Sequence, residues 1–370
     1  MKKHVRILSL LLCLLVTFLL VGCDPGGSSS VPSSQASAVS QQTVSQQTPE
    51  QLTAHFIDVG QGDAIFVELP DERTMLIDSG ESEYGSKVID YITDLGYSRL
   101  DYLVITHAHT DHMGSMKQVV THFEIGQIFM PRTNASSKTY RSMLQAISDK
   151  GLKITQAKAG VSVLQEEELQ AHFLSPNRDT YAEHNNYSAA LKLTYGEIRY
   201  LFMADAEQLS EQEITDDVSA DIVKVGHHGS DSSSGEQFVQ RVGAKIAVIS
   251  VGEGNRYRHP SDKIIARWRN SGATVYRTDR DGTVSVSTDG AVISLKTQNG
   301  QSSSFAIPQQ SAASSQAQTT YVLNTANKKI HAPDCYAVSQ IAAQNKQETT
   351  QTPEALQQQG YTVCGICKAQ

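Results

Sequence analysis

The chain has 370 residues, of which 39% are hydrophobic, 19% charged and 6% aromatic. That is long enough for two or three domains and apolar enough for at least one sizeable core. A formal net charge of −8 excludes a protein that coats nucleic acid through general basicity, though not one with a locally basic groove. Five cysteines exclude a disulfide-dense scaffold, and the apolar run from Ile7 to Val21 falls short of the roughly 20 residues a spanning helix needs.

Lys2, Lys3 and Arg6 precede that run and small residues follow it, the layout of a secretory signal. The run closes in Leu20-Val21-Gly22-Cys23, which resembles a bacterial lipoprotein signal box. The resemblance implies removal of residues 1–22, acylation of Cys23, and a mature chain lipid-anchored in the cell membrane and facing outside the cytoplasm. The alternative is an uncleaved anchor, or an ordinary signal with a stray cysteine. Residues 23–52 are mostly Ser, Gln, Thr, Pro and Gly, which reads as a disordered tether. A second Ser/Gln-rich stretch, 297–319, reads as a linker between a body at 53–296 and a small module at 320–370.

In the body, short apolar strands are predicted at Ala54 to Val59, Ala64 to Glu68 and Thr74 to Asp78, then a helix around Lys87 to Leu95. Tyr102 to Thr106 is apolar throughout, as expected of a strand buried on both faces. Tyr140 to Ser148 has helical spacing, and Ala189 to Thr194 with Ile198 to Met203 reads as a hairpin. Strands follow at Ile222 to Val225, Ala244 to Ser250 and Thr274 to Arg277, with helices at Glu236 to Val242 and Ile264 to Asn270. Asp289-Gly290 makes a turn between Thr283 to Ser287 and Ala291 to Leu295. Strands punctuated by helices indicate an α/β or α+β layered domain.

The chemistry concentrates in Thr106-His107-Ala108-His109-Thr110-Asp111-His112, directly after the buried strand. Residues i and i+2 of an extended segment point the same way, so His107 and His109 can grip one metal ion. Asp111 and His112, at the turn into a helix, can grip a second. Imidazole and carboxylate suit Zn²⁺ or a neighbouring first-row ion. His-x-His-x-Asp-His after a buried strand resembles the signature loop of the metallo-β-lactamase fold. The resemblance implies an αββα sandwich with a one- or two-metal site. It makes Asp78 a brace for the metal loop, Asp205 the carboxylate that bridges both metals, and one of His227 and His228 the later ligand, with His228 the favoured ligand and His227 then lining the pocket.

Phe56-Ile57-Asp58-Val59-Gly60-Gln61-Gly62-Asp63-Ala64, Asn185-Asn186-Tyr187-Ser188, His227-His228-Gly229-Ser230, the Asn255 to Pro260 turn, and Tyr276-Arg277-Thr278-Asp279 with Gly282 are similar to the metallo-hydrolase domain of ComEC-type DNA-uptake proteins. Phosphorylcholine esterases share much of this pattern. The resemblance implies a phosphodiesterase or nuclease that works through a metal-bridging hydroxide, with Asp111, Asp205 and His259 catalytic. Asn185, Ser188, His227, Arg256, Tyr257 and Arg258 would contact an anionic phosphoester such as single-stranded DNA. Two departures stand out. Asn185 to Ser188 occupies the place where many members carry a histidine ligand, which leaves the first metal short of one protein donor and admits Mn²⁺. Arg258 stands where relatives often have glycine. Residues 253–282 hold seven Lys/Arg against four Asp/Glu, so Arg256, Arg258 and Arg277 are expected to face the substrate. Two alternatives stay open: an esterase acting on phosphorylcholine or a wall polymer, and a non-catalytic DNA-binding protein of this fold.

In the module, His331, Cys335, Cys364 and Cys367 make a four-donor set with zinc-like spacing, and the segment resembles small Ada-like zinc-binding modules. Such a site is structural. One disulfide plus a free thiol is the competing reading.

Overall fold

The computed structural model describes residues 51–306, 320–332 and 335–365. The signal peptide, Cys23, nearly all of the tether, Cys367 and most of the linker lie outside the described residues.

The body is built on sixteen strands: β1 Leu52–Phe56, β2 Ile65–Glu68, β3 Thr74–Ile77, β4 Arg99–Val104, β5 Glu124–Met130, β6 Ile154–Gln156, β7 Ser162–Gln165, β8 Leu169–Phe173, β9 Leu191–Tyr195, β10 Ile198–Phe202, β11 Ile222–Lys224, β12 Ile246–Ile249, β13 Thr274–Arg277, β14 Val284–Thr288, β15 Val292–Thr297 and β16 Ser302–Ala306. They form two sheets, one ordered β16-β15-β14-β1-β2-β3-β4-β5-β6 and the other β13-β12-β11-β10-β9-β8-β7. In the first sheet β3 to β6 pair in parallel and the rest antiparallel. In the second, β10 to β13 are parallel and β7 to β10 antiparallel.

Side-chain alternation assigns each strand's two faces. Leu52, Ala54 and Phe56 of β1 join Tyr200 and Phe202 of β10 in a core between the sheets. Tyr102 and Val104 of β4 point into that core, while Leu103 and Ile105 face an outer core. This is why β4 reads as apolar on both faces. The first outer core is closed by helices Gly85–Asp94, Met116–His122 and Lys138–Asp149, the last capped by Ser137, whose hydroxyl accepts the Tyr140 amide. Helices Glu236–Val242 and Asp262–Asn270 close the core on the other side, where Ile264, Ile265 and Trp268 are buried. The layers are therefore α, β, β, α, as the resemblance implies.

Two boundaries move. β1 opens at Leu52, and β16 lies inside the expected linker, paired to β15 from Lys296↔Ser302 to Val292↔Ala306. Strands β5 to β8 are additional to those predicted. The C-terminal residues form their own small sheet from Tyr321–Asn324, Lys329–His331, Lys346–Thr349 and Thr362–Val363, with a helix at Pro353–Gln358.

Trp268 is fully buried and its indole N–H donates to Ser234 Oγ at 3.2 Å. Trp268→Ala is expected to cost about 3–5 kcal/mol of unfolding free energy, read as a lower urea midpoint with little change in slope.

Candidate metal centre

Loops at one end of the two sheets bring the site together. The turn after β4 carries His107, then His109 as N-cap of the short helix Thr110–Met113, which holds Asp111 and His112. Asp205 follows β10 and is held there by its backbone: Ala204 sits at φ +47°, and the Asp205 amide donates to Ser188 Oγ at 3.2 Å. His228 follows β11 in a left-handed stretch, with φ +46° at His227, +51° at His228 and +78° at Gly229. Only glycine adopts that backbone freely, so tertiary contacts maintain it.

Two donor clusters meet at Asp205. In the first, His107 Nε2 lies 3.1 Å from His109 Nδ1 and 3.7 Å from Asp205 Oδ2. In the second, Asp205 Oδ1 lies 3.2 Å from His112 Nε2 and 3.3 Å from His228 Nε2, while Asp111 Oδ2 is 3.3 Å from the same His228 nitrogen. The two oxygens of one carboxylate thus face different clusters. His112 Nε2, His228 Nε2 and Asp205 Oδ1 are buried and make no aligned hydrogen bond. Groups of this kind, desolvated and unpaired, are what a cation would satisfy, and they fit a pair of divalent ions.

The far sides of the rings are anchored. His112 Nδ1 meets Asp78 Oδ2 at 2.8 Å, and Asp78 also accepts the Thr106 amide (2.8 Å) and hydroxyl (2.5 Å). Asp78 is the expected brace. His228 Nδ1 donates to the Ser250 carbonyl at 2.9 Å. Each anchor fixes the tautomer that aims Nε2 inward.

Electrostatics follow from burial and charge together. Burial pulls the His112 pKa down, but the Asp205, Asp78 and Asp111 carboxylates outweigh it and hold it well above the usual value. Burial would raise Asp205, yet His112 and His228 hold it well below the carboxylate range. For His107 the balance reverses: burial and then His112 outweigh Asp205 and push it far down.

Other predicted residues separate. Asn185 lines a cavity of about 220 Å³ together with His109, Asp205, His227 and His259, its amide donating to Glu207 Oε1 at 3.2 Å. His227 lines the same cavity, 3.9 Å from Asp205 and bonded through Nδ1 to Ser232. Ser188 is fully buried and spends its hydroxyl on the Asp205 backbone, so its place is beneath the bridging residue and away from substrate. His259 is pushed down to about 4 by burial and then by His227 and His228, so it is a neutral imidazole at pH 7 with no ready acidic proton. Tyr257 is half exposed and stacks on His259 at 5.7 Å. Arg256 is exposed and lies 4.8 Å over the Tyr257 ring. Arg258 lines neither cavity at the site.

The expected basic clamp is corrected in part. Arg277 is taken up by Asp279 through Nε at 2.9 Å, and Arg267 donates to the Ser234 carbonyl. The adjoining groove of about 850 Å³ is lined by Asp58, Glu81, Glu83, Asp111, Glu253 and Asp279, with Arg256 the one cation in the lining. Of the seven cations of 253–282, Arg256 alone lines either cavity among the described residues.

Sequence reasoning missed Glu207, which also accepts from Asn186 at 3.1 Å, and the pair Asp63–Lys224 behind the rings. A lysine ending an apolar strand, Ile222-Val223-Lys224-Val225, was the available signal.

The family profile for the metallo-beta-lactamase superfamily matches residues 57–253, more than half of the chain. The chain belongs to this superfamily. It is 37% identical over 248 residues to ComE operon protein 3 of Bacillus subtilis, covering 62% of this chain and 32% of that protein. It is 26% identical to competence protein ComA of Neisseria gonorrhoeae, covering 61% and 30%. The chain thus spans about a third of the length of these relatives. Among solved structures, the metallo-beta-lactamase fold protein YhfI of Bacillus subtilis is 15% identical, with a TM-score of 0.40, covering 61% of this chain and 96% of that one. The body is a metallo-β-lactamase fold related in sequence to competence proteins.

Asp205, Asp78 and Asp111 hold the His112 pKa well above its usual value, so its imidazole is expected to carry a proton in the metal-free chain, which an ion binding at Nε2 must displace. At least one proton should leave on metal binding at pH 7, and affinity should rise with pH; metal-titration heats in buffers of different ionisation enthalpy measure this, and zero release would show His112 already neutral. The sign for stability is opposite: a raised pKa stabilises the metal-free fold below the unfolded value near 6.5, and this is lost as pH rises through the folded value. A Cβ on Gly62, at φ +137°, would collide with the Asp111 carbonyl oxygen. Gly62→Ala should weaken metal binding roughly tenfold, read by equilibrium dialysis.

Proposed function

We propose that this protein is a metal-dependent hydrolase that cleaves phosphoester bonds, as a phosphodiesterase or nuclease, outside the cytoplasm and lipid-anchored through Cys23. The observation that carries the reading is the Asp205 carboxylate, whose two oxygens face two separate donor clusters. His107, His109 and Asp205 hold one Zn²⁺ or Mn²⁺; Asp111, His112, Asp205 and His228 hold the other. Two bound divalent ions lower the pKa of water towards ~7 and offset charge on a phosphoryl group. Around that centre the chain orients the substrate: Asn185 and His227 form one wall of the small cavity, and neutral His259 offers a hydrogen bond beside them. Arg256 and Tyr257 stand at the mouth, where a guanidinium and a ring can meet phosphate and base. The C-terminal module carries a structural Zn²⁺ on His331, Cys335, Cys364 and Cys367. Supporting this, donor atoms of the first three lie within 4.8 Å of one another, and among the described residues His331 Nε2 is buried without a hydrogen-bond partner.

A second reading is favoured by the acidic groove. Tyr84, Tyr257 and the carboxylates around them suit a phosphoester that carries a cationic group, such as phosphorylcholine, better than a long polyanion.

Purified protein reloaded with Zn²⁺ or Mn²⁺ is expected to hydrolyse bis-p-nitrophenyl phosphate and single-stranded DNA. Chelator should abolish turnover, and Asp111→Ala or Asp205→Asn should lower kcat by at least 10³-fold while Arg256→Ala raises KM severalfold. Turnover of p-nitrophenyl phosphorylcholine alone would establish the second reading. Metal and DNA binding without turnover would establish a non-catalytic protein.

A further inference from the structure

Beneath the cage lies a buried ion pair whose carboxylate, Asp63, also lies near Asp78 and His112 but whose ammonium can be no metal ligand. Lys224, the last residue of β11, is fully buried, and its ammonium sits 2.6 Å from Asp63 Oδ2. It also donates to the Ala204 carbonyl at 3.3 Å, one residue before Asp205. Asp63 is 1% exposed and comes from the loop between β1 and β2, on the other sheet. Its amide donates to the Asp111 carbonyl at 3.1 Å, and its carbonyl accepts from Gly80. Its second carboxylate oxygen has no hydrogen bond and lies 3.5 Å from His228 Nδ1. Oδ2 lies 3.9 Å from His112 Nδ1.

His228 Nδ1–H therefore has two acceptors within reach, and bonds the neutral Ser250 carbonyl rather than the nearby anion. A carboxylate is the stronger acceptor. What restrains Asp63 is the ammonium on its other oxygen. We propose that Lys224 is a positioning residue for the metal centre: by holding Asp63 it keeps the His228 ring on Ser250, with Nε2 aimed at Asp111 and Asp205. Lys224 acts as an internal counter-ion that never leaves. It prevents a spare buried carboxylate from recruiting a ligand histidine. This rests on the reading of the cage as a metal site and on no particular substrate.

Removing one member of a buried pair leaves an uncompensated charge, whereas removing both does not. That asymmetry supplies the test. The metal-free full chain and its Lys224→Met, Asp63→Asn and double variants are titrated with Co²⁺, reading affinity and the visible ligand-field spectrum, with circular dichroism to establish folding. Lys224→Met is expected to weaken Co²⁺ binding at the Asp111–His112–Asp205–His228 cluster by 10–100-fold and to alter the spectrum. Asp63→Asn, which removes the competing anion but leaves the ammonium unpaired, should keep the wild-type spectrum at reduced affinity, and the double variant should return to within about threefold of wild-type affinity. A Lys224→Met spectrum and affinity equal to wild type would overturn the proposal, and so would a double variant as impaired as Lys224→Met. Should Lys224→Met fail to fold, the double variant decides alone. Failure of the hydrolase reading looks different: the wild type binds Co²⁺ yet turns over no phosphoester.

Discussion

Carboxylates that must stand close together out of water constrain everything else in this molecule. Asp63, Asp78 and Asp205 are buried, and Asp111 is nearly so. Two like charges 4 Å apart repel by about 4 kcal/mol at the effective dielectric of a protein site. Each carboxylate consequently has its own answer. Asp78 is met by Thr106 and His112, Asp63 by Lys224, and Asp205 by three imidazoles. Asp111 is met by His228. His112 and His228 serve twice, as counter-charges in the metal-free chain and as donors towards cations, while His107, its pKa pushed far down, meets Asp205 as an uncharged ring.

The architecture supplies these answers from opposite directions. The histidine-rich turn and Asp63 hang from the first sheet, whereas Asp205, Lys224 and His228 hang from the second. No single supersecondary unit contains a complete cluster. The inter-sheet core, from Phe56 across to Tyr200 and Phe202, sets the distance between the two halves and so the spacing of the donors. Strained backbone at Asp78, Ala204, His227 and His228 is concentrated where the chain turns to present them.

Much of this was legible in the order of residues. β4 announces itself as an unbroken apolar run, and the donor-rich turn after it needs no partner to be noticed. β13 and the helix Glu236–Val242 coincide with their predicted spans. β5 escaped because Gly126 and Gln127 interrupt its apolar pattern, and β8 because His172 and Gln170 leave only a short alternation. Charge proved less readable than hydrophobicity. A count of arginines over 253–282 says nothing of where each guanidinium points, and Arg277 is spent on a carboxylate two residues away. Lys224 was invisible for the reverse reason: its partner lies 161 positions earlier and meets it only once both sheets are packed.

β16 bears on where the body can be cut from the rest of the chain. It covers the outer edge of β15 with five register pairs, although its sequence, Ser302-Ser303-Ser304-Phe305-Ala306, looks like spacer. A truncation placed at residue 296 would strip that cover, exposing a ladder of unsatisfied amides and carbonyls beside Ile293 and Leu295 and inviting edge-to-edge self-association. A fragment ending after Ala306 keeps β15 paired and leaves the serine-rich β16 as the sheet's edge, so a low-complexity appearance is a poor guide to where this domain stops.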